Sequence, residues 1–107
     1  MSYGYGMAAN NFILGLDLGT SSTKAVVWSA DNQPAATGQA AVKTAAPRPG
    51  FGEQDAEDWW RSTRKAVRQC LRDVNAERIA AIGISVQRET FVLLDAAHKP
   101  VAPAILW

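Results

Sequence analysis

Apolar residues along this chain fall into short unbroken runs at two places and into a helical period at a third. Phe12 to Asp17 and Ile79 to Val86 are almost continuously apolar, the pattern of strands buried on both faces. Lys24 to Ser29 carries β-branched Val26 and Val27, and Ala35 to Val42 reads as a weaker strand, short of large side chains. Asp31-Asn32-Gln33-Pro34 marks the turn between them. The links joining these first three strands are too short for parallel crossovers, so an antiparallel meander is expected. After a loop rich in Pro and Gly from Thr44 to Gly52, the period becomes that of a helix, running from Asp55 to about Asn75. Asp55 is placed as its N-cap, and Glu57 and Asp58 fall in the first turn, where the helix dipole favours anions. Trp60, Thr63, Val67, Cys70, Leu71 and Val74 form the expected buried stripe. Arg61, Arg64, Lys65, Arg68 and Arg72 form the opposite face, read as solvated, with docking of an acidic partner as the rival. Ile79 to Val86 follows the helix after a short link and is expected to run parallel to the first strand. Phe91 to Asp95 and Ala104 to Trp107 read as further short strands, with a turn at Ala96 to Pro100 between them.

Length and charge narrow the class. A chain of 107 residues can build one small core but not two. The net charge of +1 argues against a general attraction to nucleic acid or to anionic membrane. No apolar run approaches the roughly 20 residues of a membrane helix, and no basic segment followed by an apolar core marks a signal peptide. The expected setting is therefore the cytoplasm. Cys70 is the only cysteine, which excludes an internal disulfide and, lying in the apolar stripe, reads as a packed thiol. His98, the only histidine, sits in a polar turn and reads as solvated. Residues 1–11, small, polar and Gly/Tyr-containing, are expected to be a disordered leader; residues 12–107 carry the fold.

Two polar interruptions carry candidate chemistry. The first is the turn after the first strand, Asp17-Leu18-Gly19-Thr20-Ser21-Ser22-Thr23-Lys24. Backbone N–H groups opened by Gly19 and the hydroxyls of Thr20, Ser21, Ser22 and Thr23 could cradle phosphate oxygens. Asp17 could hold Mg²⁺ through water, since Mg²⁺ keeps much of its hydration shell. The plain alternative is a hairpin turn with Asp17 as a turn acid. The second interruption, Gln87-Arg88-Glu89-Thr90, follows directly on the second apolar run. Ligands in sheets of this kind bind at the carboxyl ends of strands, and an Arg beside a Glu offers the donors and acceptors needed to grip vicinal hydroxyls. The alternative is a local ion pair. Trp107 could wall a small polyol, or simply anchor the last strand.

The LDLGTSSTK pattern resembles the first phosphate loop of the actin-like ATPase superfamily, which includes sugar kinases, actin and heat-shock chaperone ATPases. GFGEQDAEDWW, IAAIGISVQRET and PVAPAILW, in that order and spacing, resemble the FGGY carbohydrate kinases across residues 13 to 107. That resemblance implies an α/β chain of the actin-like ATPase (ribonuclease H-like) fold, with a mixed sheet whose first three strands are antiparallel. This chain would be the N-terminal part of the first domain. It implies Mg²⁺ positioned by Asp17, nucleotide phosphates held by Gly19, Thr20, Ser21, Ser22 and Lys24, and substrate hydroxyls gripped by Gln87, Arg88 and Glu89, with Trp107 against the carbons. Lys24 stands where glycerol kinases carry an arginine, keeping the charge without the bidentate fork.

The resemblance also implies ATP as phosphoryl donor and a sugar or polyol as acceptor, in-line transfer to a primary hydroxyl, and a carboxylate base far downstream that this sequence does not contain. Arg88-Glu89 leans toward glycerol or another polyol, because xylulokinase-like members commonly carry Met-His there; EQDAEDWW leans toward pentulose kinases. A non-catalytic chaperone-like or cytoskeletal ATPase domain, and a truncated interaction module using the basic helix face, are the competing readings. The two apolar strands exceed what one amphipathic helix can cover. The expected partner is thus the remainder of a kinase chain, with self-association through open sheet edges when that is missing; the isolated piece is expected to be marginal and inactive.

Overall fold

The computed structural model describes residues 11–106. The architecture is α/β in two layers, a four-stranded sheet with one helix across part of one face. The strands are β1 (Phe12–Leu18), β2 (Ser22–Ser29), β3 (Pro34–Ala41) and β5 (Ile79–Val86), in the order β3-β2-β1-β5. A two-residue strand β4 (Glu53–Gln54) and the helix α1 (Ala56–Cys70) come between β3 and β5 in the chain, and β4 pairs with a final short strand, β6 (Ala104–Ile105). β1–β2 and β2–β3 are antiparallel, and β1–β5 is parallel. The meander and the parallel return both follow the sequence reading. Among the described residues no helix is long and apolar enough to cross a membrane.

Strand alternation decides what α1 covers. Leu14 and Leu16 of β1, Thr23, Ala25 and Val27 of β2, and Ala36, Gly38 and Ala40 of β3 are buried. β3 supplies only small residues to this face, which lets the helix come down onto backbone. A Cβ at Gly38 would lie 2.0 Å from the carbonyl oxygen of Ala66, so no side chain fits at that position without displacing α1.

This close approach also selects the face of α1. Ser62, Ala66 and Cys70 point inward, at i, i+4 and i+8; of the expected stripe Cys70, Val74 and Val67 join the core, while Trp60 and Leu71 turn outward. Trp60 is 58% exposed and stacks with the Arg64 guanidinium, 5.6 Å from its ring centre. Leu71 is exposed, while Val74 is buried as expected. Arg61 leaves the solvated face: its Nε donates to Asp58 Oδ1 at 2.6 Å and its Nη2 to Ala41 O at 2.8 Å. Arg64, Lys65, Arg68 and Arg72 remain exposed. Cys70 Sγ lies 3.5 Å from Ala25 O, and burial pushes its thiol pKa up, with Asp73 adding to the shift.

The N-cap is as expected, Asp55 Oδ1 accepting the Glu57 amide at 2.9 Å. The helix stops at Cys70, five residues short of Asn75, because Asn75 caps a separate 3₁₀ turn, Ala76–Arg78, by accepting the Glu77 amide. Phe91 to Asp95 is not a strand. Leu94 makes one isolated bridge, to Pro100, and the prolines at 100 and 103 remove the donors a ladder would need. The turn at Asp95 to Lys99 is formed, with His98 exposed. Nor are the two apolar strands buried on both faces. Ile13 of β1 and Ile82, Ile84 and Val86 of β5 are more than half exposed, since α1 reaches over β1–β3 but not over β5 among the described residues. The leader expectation falls on residues outside those described, apart from Asn11, whose Oδ1 accepts from Arg78 Nη2 at 3.0 Å.

Candidate functional site

β1 and β5 run parallel, so their carboxyl ends lie side by side. Asp17 is level with Ser85 and Leu18 with Val86, and the Gln87 amide carries the ladder one step further by donating to Leu18 O at 2.9 Å. Asp17 is also level with Lys24 across the β1–β2 hairpin. Because Leu14 and Leu16 face the helix, alternation turns Asp17 to the opposite face, where it is exposed.

The hairpin loop closes tightly. The Gly19 amide donates to Ser22 O at 3.0 Å, and a Cβ at Gly19 would sit 3.1 Å from that same oxygen. Gly19 thus shapes the loop, while its own N–H is already engaged. Thr20 Oγ1 donates to Gln87 Oε1 at 3.0 Å, tying the loop to the end of β5.

The result is one open cleft of about 450 Å³, lined by Asp17, Gly19, Thr20, Val86, Gln87, Arg88 and Glu89. Six of the positions singled out from the sequence meet here, drawn from segments about 70 residues apart. Arg88 and Glu89 form no ion pair with each other; among the described residues the salt bridge formed is Arg61–Asp58. Both side chains are exposed, so their donors and acceptors face the cleft free. Glu89 holds φ at 59°, a left-handed conformation costing an L-residue roughly 1 kcal/mol, of the kind that collects at binding sites.

The other candidates lie elsewhere. Lys24 is on the exposed sheet face and lines a neighbouring groove with Asp17, Trp28 and Ser85. Ser22 Oγ accepts from Gln39 Nε2 at 3.1 Å, and the Ser21 carbonyl accepts the Val42 amide. Thr23 is corrected: it is buried, its hydroxyl 2.8 Å from that of Ser62, because strand alternation points it at the helix. Trp107 lies outside the described residues.

The donor set suits Mg²⁺ held mainly by water and phosphate. Asp17 is an exposed carboxylate at the cleft, and Mg²⁺ in phosphoryl-transfer sites binds through one or two carboxylates and keeps several waters. No group of three or more His, Cys, Asp or Glu gathers among the described residues.

Sequence reasoning assigned no role to Gln54 and Trp59. Gln54 is 2% exposed, and its Oε1 accepts from Trp59 Nε1 at 2.8 Å and from Gln87 Nε2 at 3.0 Å. Both residues stood within the EQDAEDWW segment. The available signal was a polar residue directly before the Asp55 cap.

Comparison with known proteins agrees with this geometry. Residues 12–107 match the model of the FGGY family of carbohydrate kinases, N-terminal domain. The chain is 40% identical over 100 residues to a glycerol kinase of Saccharolobus islandicus, covering 92% of this chain and 20% of that protein. It is 40% identical over 104 residues to the glycerol kinase of Bordetella pertussis, covering 94% and 20%. Among solved structures, a Brucella ovis protein described as a xyloylose kinase superposes with a TM-score of 0.84 at 35% identity, over 90% of this chain and 21% of its own. Plasmodium falciparum glycerol kinase with ADP superposes with a TM-score of 0.79 at 25% identity, over 92% and 20%. The chain thus spans about a fifth of the length of the relatives it matches. A mixed sheet opening with an antiparallel meander, a Gly- and hydroxyl-bearing loop beside a polar strand end, and a family match over almost every described residue leave one assignment: the chain belongs to the FGGY family of carbohydrate kinases and carries the N-terminal part of their actin-like ATPase fold.

Proposed function

We propose that this chain supplies the phosphate loop and part of the acceptor site of an ATP-dependent kinase that phosphorylates a primary hydroxyl of a glycerol-like polyol. The observation that carries the reading is the shared cleft, in which Asp17, Gly19 and Thr20 face Gln87, Arg88 and Glu89. A nucleotide phosphate at the loop and a hydroxyl at Arg88-Glu89 would lie at the same end of two adjacent strands. That is the positioning on which phosphoryl transfer chiefly depends.

In this reading Arg88 donates to acceptor oxygens and Glu89 accepts from acceptor hydroxyls, orienting the small polyol. Thr20, whose hydroxyl proton goes to Gln87 Oε1, holds the loop in place, and the Ser21 and Ser22 hydroxyls and the Lys24 ammonium, beside the cleft, offer donors and charge to the phosphates. Asp17 would hold Mg²⁺ through its waters, and the ion, when bound, neutralises phosphate charge. The proton of the attacking hydroxyl must pass to a base outside these residues, as the family resemblance implies. Glycerol is favoured by Arg88-Glu89 and by the 40% identity to glycerol kinases. A ketopentose is the second reading, favoured by the superposition on the Brucella ovis protein.

The test is ATP consumption by the complete gene product with Mg²⁺, across glycerol, erythritol, D-xylulose, D-ribulose and L-ribulose. Turnover with glycerol is expected. Arg88→Ala should then cost about 2 kcal/mol in kcat/KM, from loss of a charge-assisted hydrogen bond. Phosphorylation of none of the five would overturn the reading, and unchanged kcat/KM in Arg88→Ala would remove Arg88 from the acceptor site.

A further inference from the structure

The side chain that joins the two halves of the cleft belongs to neither. Gln54 is buried behind the cleft, 2% exposed, and every hydrogen-bonding position of its amide is filled. Nε2 donates to Thr20 O at 2.7 Å and to Thr44 Oγ1 at 3.1 Å. Oε1 accepts from Trp59 Nε1 at 2.8 Å and Gln87 Nε2 at 3.0 Å. A primary amide has two donor hydrogens and one carbonyl with two lone pairs, so nothing is left over. The orientation is forced as well. An indole N–H can only donate and a backbone carbonyl can only accept, so a flipped amide would set donor against donor at Trp59 and acceptor against acceptor at Thr20.

These four bonds join four separate pieces of chain: the phosphate-type loop at Thr20, the loop after β3 at Thr44, the first turn of α1 at Trp59, and the end of β5 at Gln87. A three-membered ring of contacts closes behind the cleft, Gln54 to Thr20, Thr20 Oγ1 to Gln87 Oε1, and Gln87 Nε2 back to Gln54. The backbone of Gln54 pairs with Ala104 of β6, so the same residue fixes a further segment. Networks of this kind in a buried setting hold one geometry, since losing one partner leaves the others unsatisfied.

We propose that Gln54 is a positioning residue that sets the separation between the phosphate loop and the Gln87-Arg88-Glu89 segment, so that occupancy of one side strengthens binding at the other. The proposal rests on the kinase reading above. Gln54 touches neither ligand; it acts through Thr20 and Gln87. Gln54→Leu removes all four bonds at similar volume. Gln54→Glu keeps an acceptor for Trp59 and Gln87 but sets a carboxylate oxygen against Thr20 O, breaking the loop link, while the Thr44 hydroxyl can turn to donate.

The experiment is calorimetric titration of the complete gene product with glycerol, with and without a non-hydrolysable ATP analogue, beside steady-state kinetics. In the unaltered protein the analogue should tighten glycerol binding about fivefold or more, the usual scale of coupling between sites. In Gln54→Leu and Gln54→Glu the coupling should fall toward one, and kcat should fall about a hundredfold, as expected for misplacement of reacting groups by about 1 Å. Each ligand alone should still bind within about threefold of its original affinity, the signature of lost alignment as opposed to lost contact. Should Gln54→Leu fail to fold, Gln54→Glu tests the same ring. Coupling undiminished in the folded variants would overturn the proposal. So would a parallel loss of both single-ligand affinities with a lowered melting temperature, which is what a purely structural role produces. An unaltered protein that phosphorylates glycerol without coupling overturns the Gln54 proposal alone; one that neither binds nor phosphorylates any of the five acceptors overturns the kinase reading beneath it.

Discussion

The two flanks of the sheet are held by different forces. On the β2–β3 flank, α1 is seated directly on backbone, with Val27, Ser62, Ala66 and Cys70 fully buried. On the β5 flank, Ile82, Ile84 and Val86 share the face of Leu14, Leu16 and Leu18 by register, yet are 59%, 66% and 59% exposed. The end of β5 is held instead by polar bonds, the Gln87 amide to Leu18 O and the Gln87 side chain to Thr20 and Gln54. Close packing tolerates no added volume but is indifferent to direction; hydrogen bonds fix direction. The candidate site sits on the flank fixed by direction, which suits a cleft that must hold two reactants in line.

The largest effect should come from adding volume on the packed flank. Gly38→Val would drive a branched side chain into the Ala66 carbonyl, where even a Cβ would be 2.0 Å away. Overpacking typically costs about 1–3 kcal/mol and more where backbone must move, so a loss of about 3 kcal/mol or more by urea denaturation is expected. A loss below about 1 kcal/mol would mean that α1 slides freely on β3, and the contrast between the flanks would disappear.

A matched pair sharpens the contrast. Val27 is 0% exposed and Ile84 66%. Val27→Ala should cost about 2 kcal/mol, from lost transfer energy and the cavity left behind. Ile84→Ala in the same chain should stay within about 0.5 kcal/mol, as surface substitutions do. In the complete gene product, Ile84→Ala should approach the cost of Val27→Ala if further chain covers β5. Equal costs in the present chain would show that the β5 face is already covered.

The difference between the flanks also explains what could be read from the sequence. β1, β2, β3 and β5 were legible because short apolar runs and short links leave few pairings. The meeting of Asp17 and Thr20 with Gln87, Arg88 and Glu89 was legible because parallel strands end together. The face of α1 was not. It is chosen by the approach to Gly38, which favours Ser62 and Ala66, residues with almost no hydrophobic signal, over Trp60. The Thr23 hydroxyl was offered to phosphate although alternation with Ala25 and Val27 already placed it inward. Phe91 to Asp95 carried strand-forming residues, but its partner segment held Pro100 and Pro103. Gln54 and Trp59 could not be given roles, since their bonds join segments that only the tertiary fold brings together.

The smallest effect tests the polar seam between α1 and the end of β3. Asp58 Oδ1 accepts from Arg61 Nε, and its Oδ2 accepts from the Lys43 amide at 2.7 Å. The hydrogen bond from Arg61 is the main reason its carboxyl is held below the ordinary value of 3.8; partial burial opposes this, and the Lys43 amide and the nearby positive charges add to the lowering. A carboxylate with a depressed folded-state pKa contributes stability above its unfolded pKa and loses it as pH falls through the folded value. Arg61 is 43% exposed, so screening keeps the contribution under about 1 kcal/mol. Asp58→Asn should therefore be less stable than the original chain at neutral pH by that small amount. The gap should begin to close as the pH drops below about 5 and vanish once Asp58 is protonated in the folded state. A gap that stays constant from neutral pH to acid would mean that the seam is held by shape and amide bonding, with no share from the charge of Asp58.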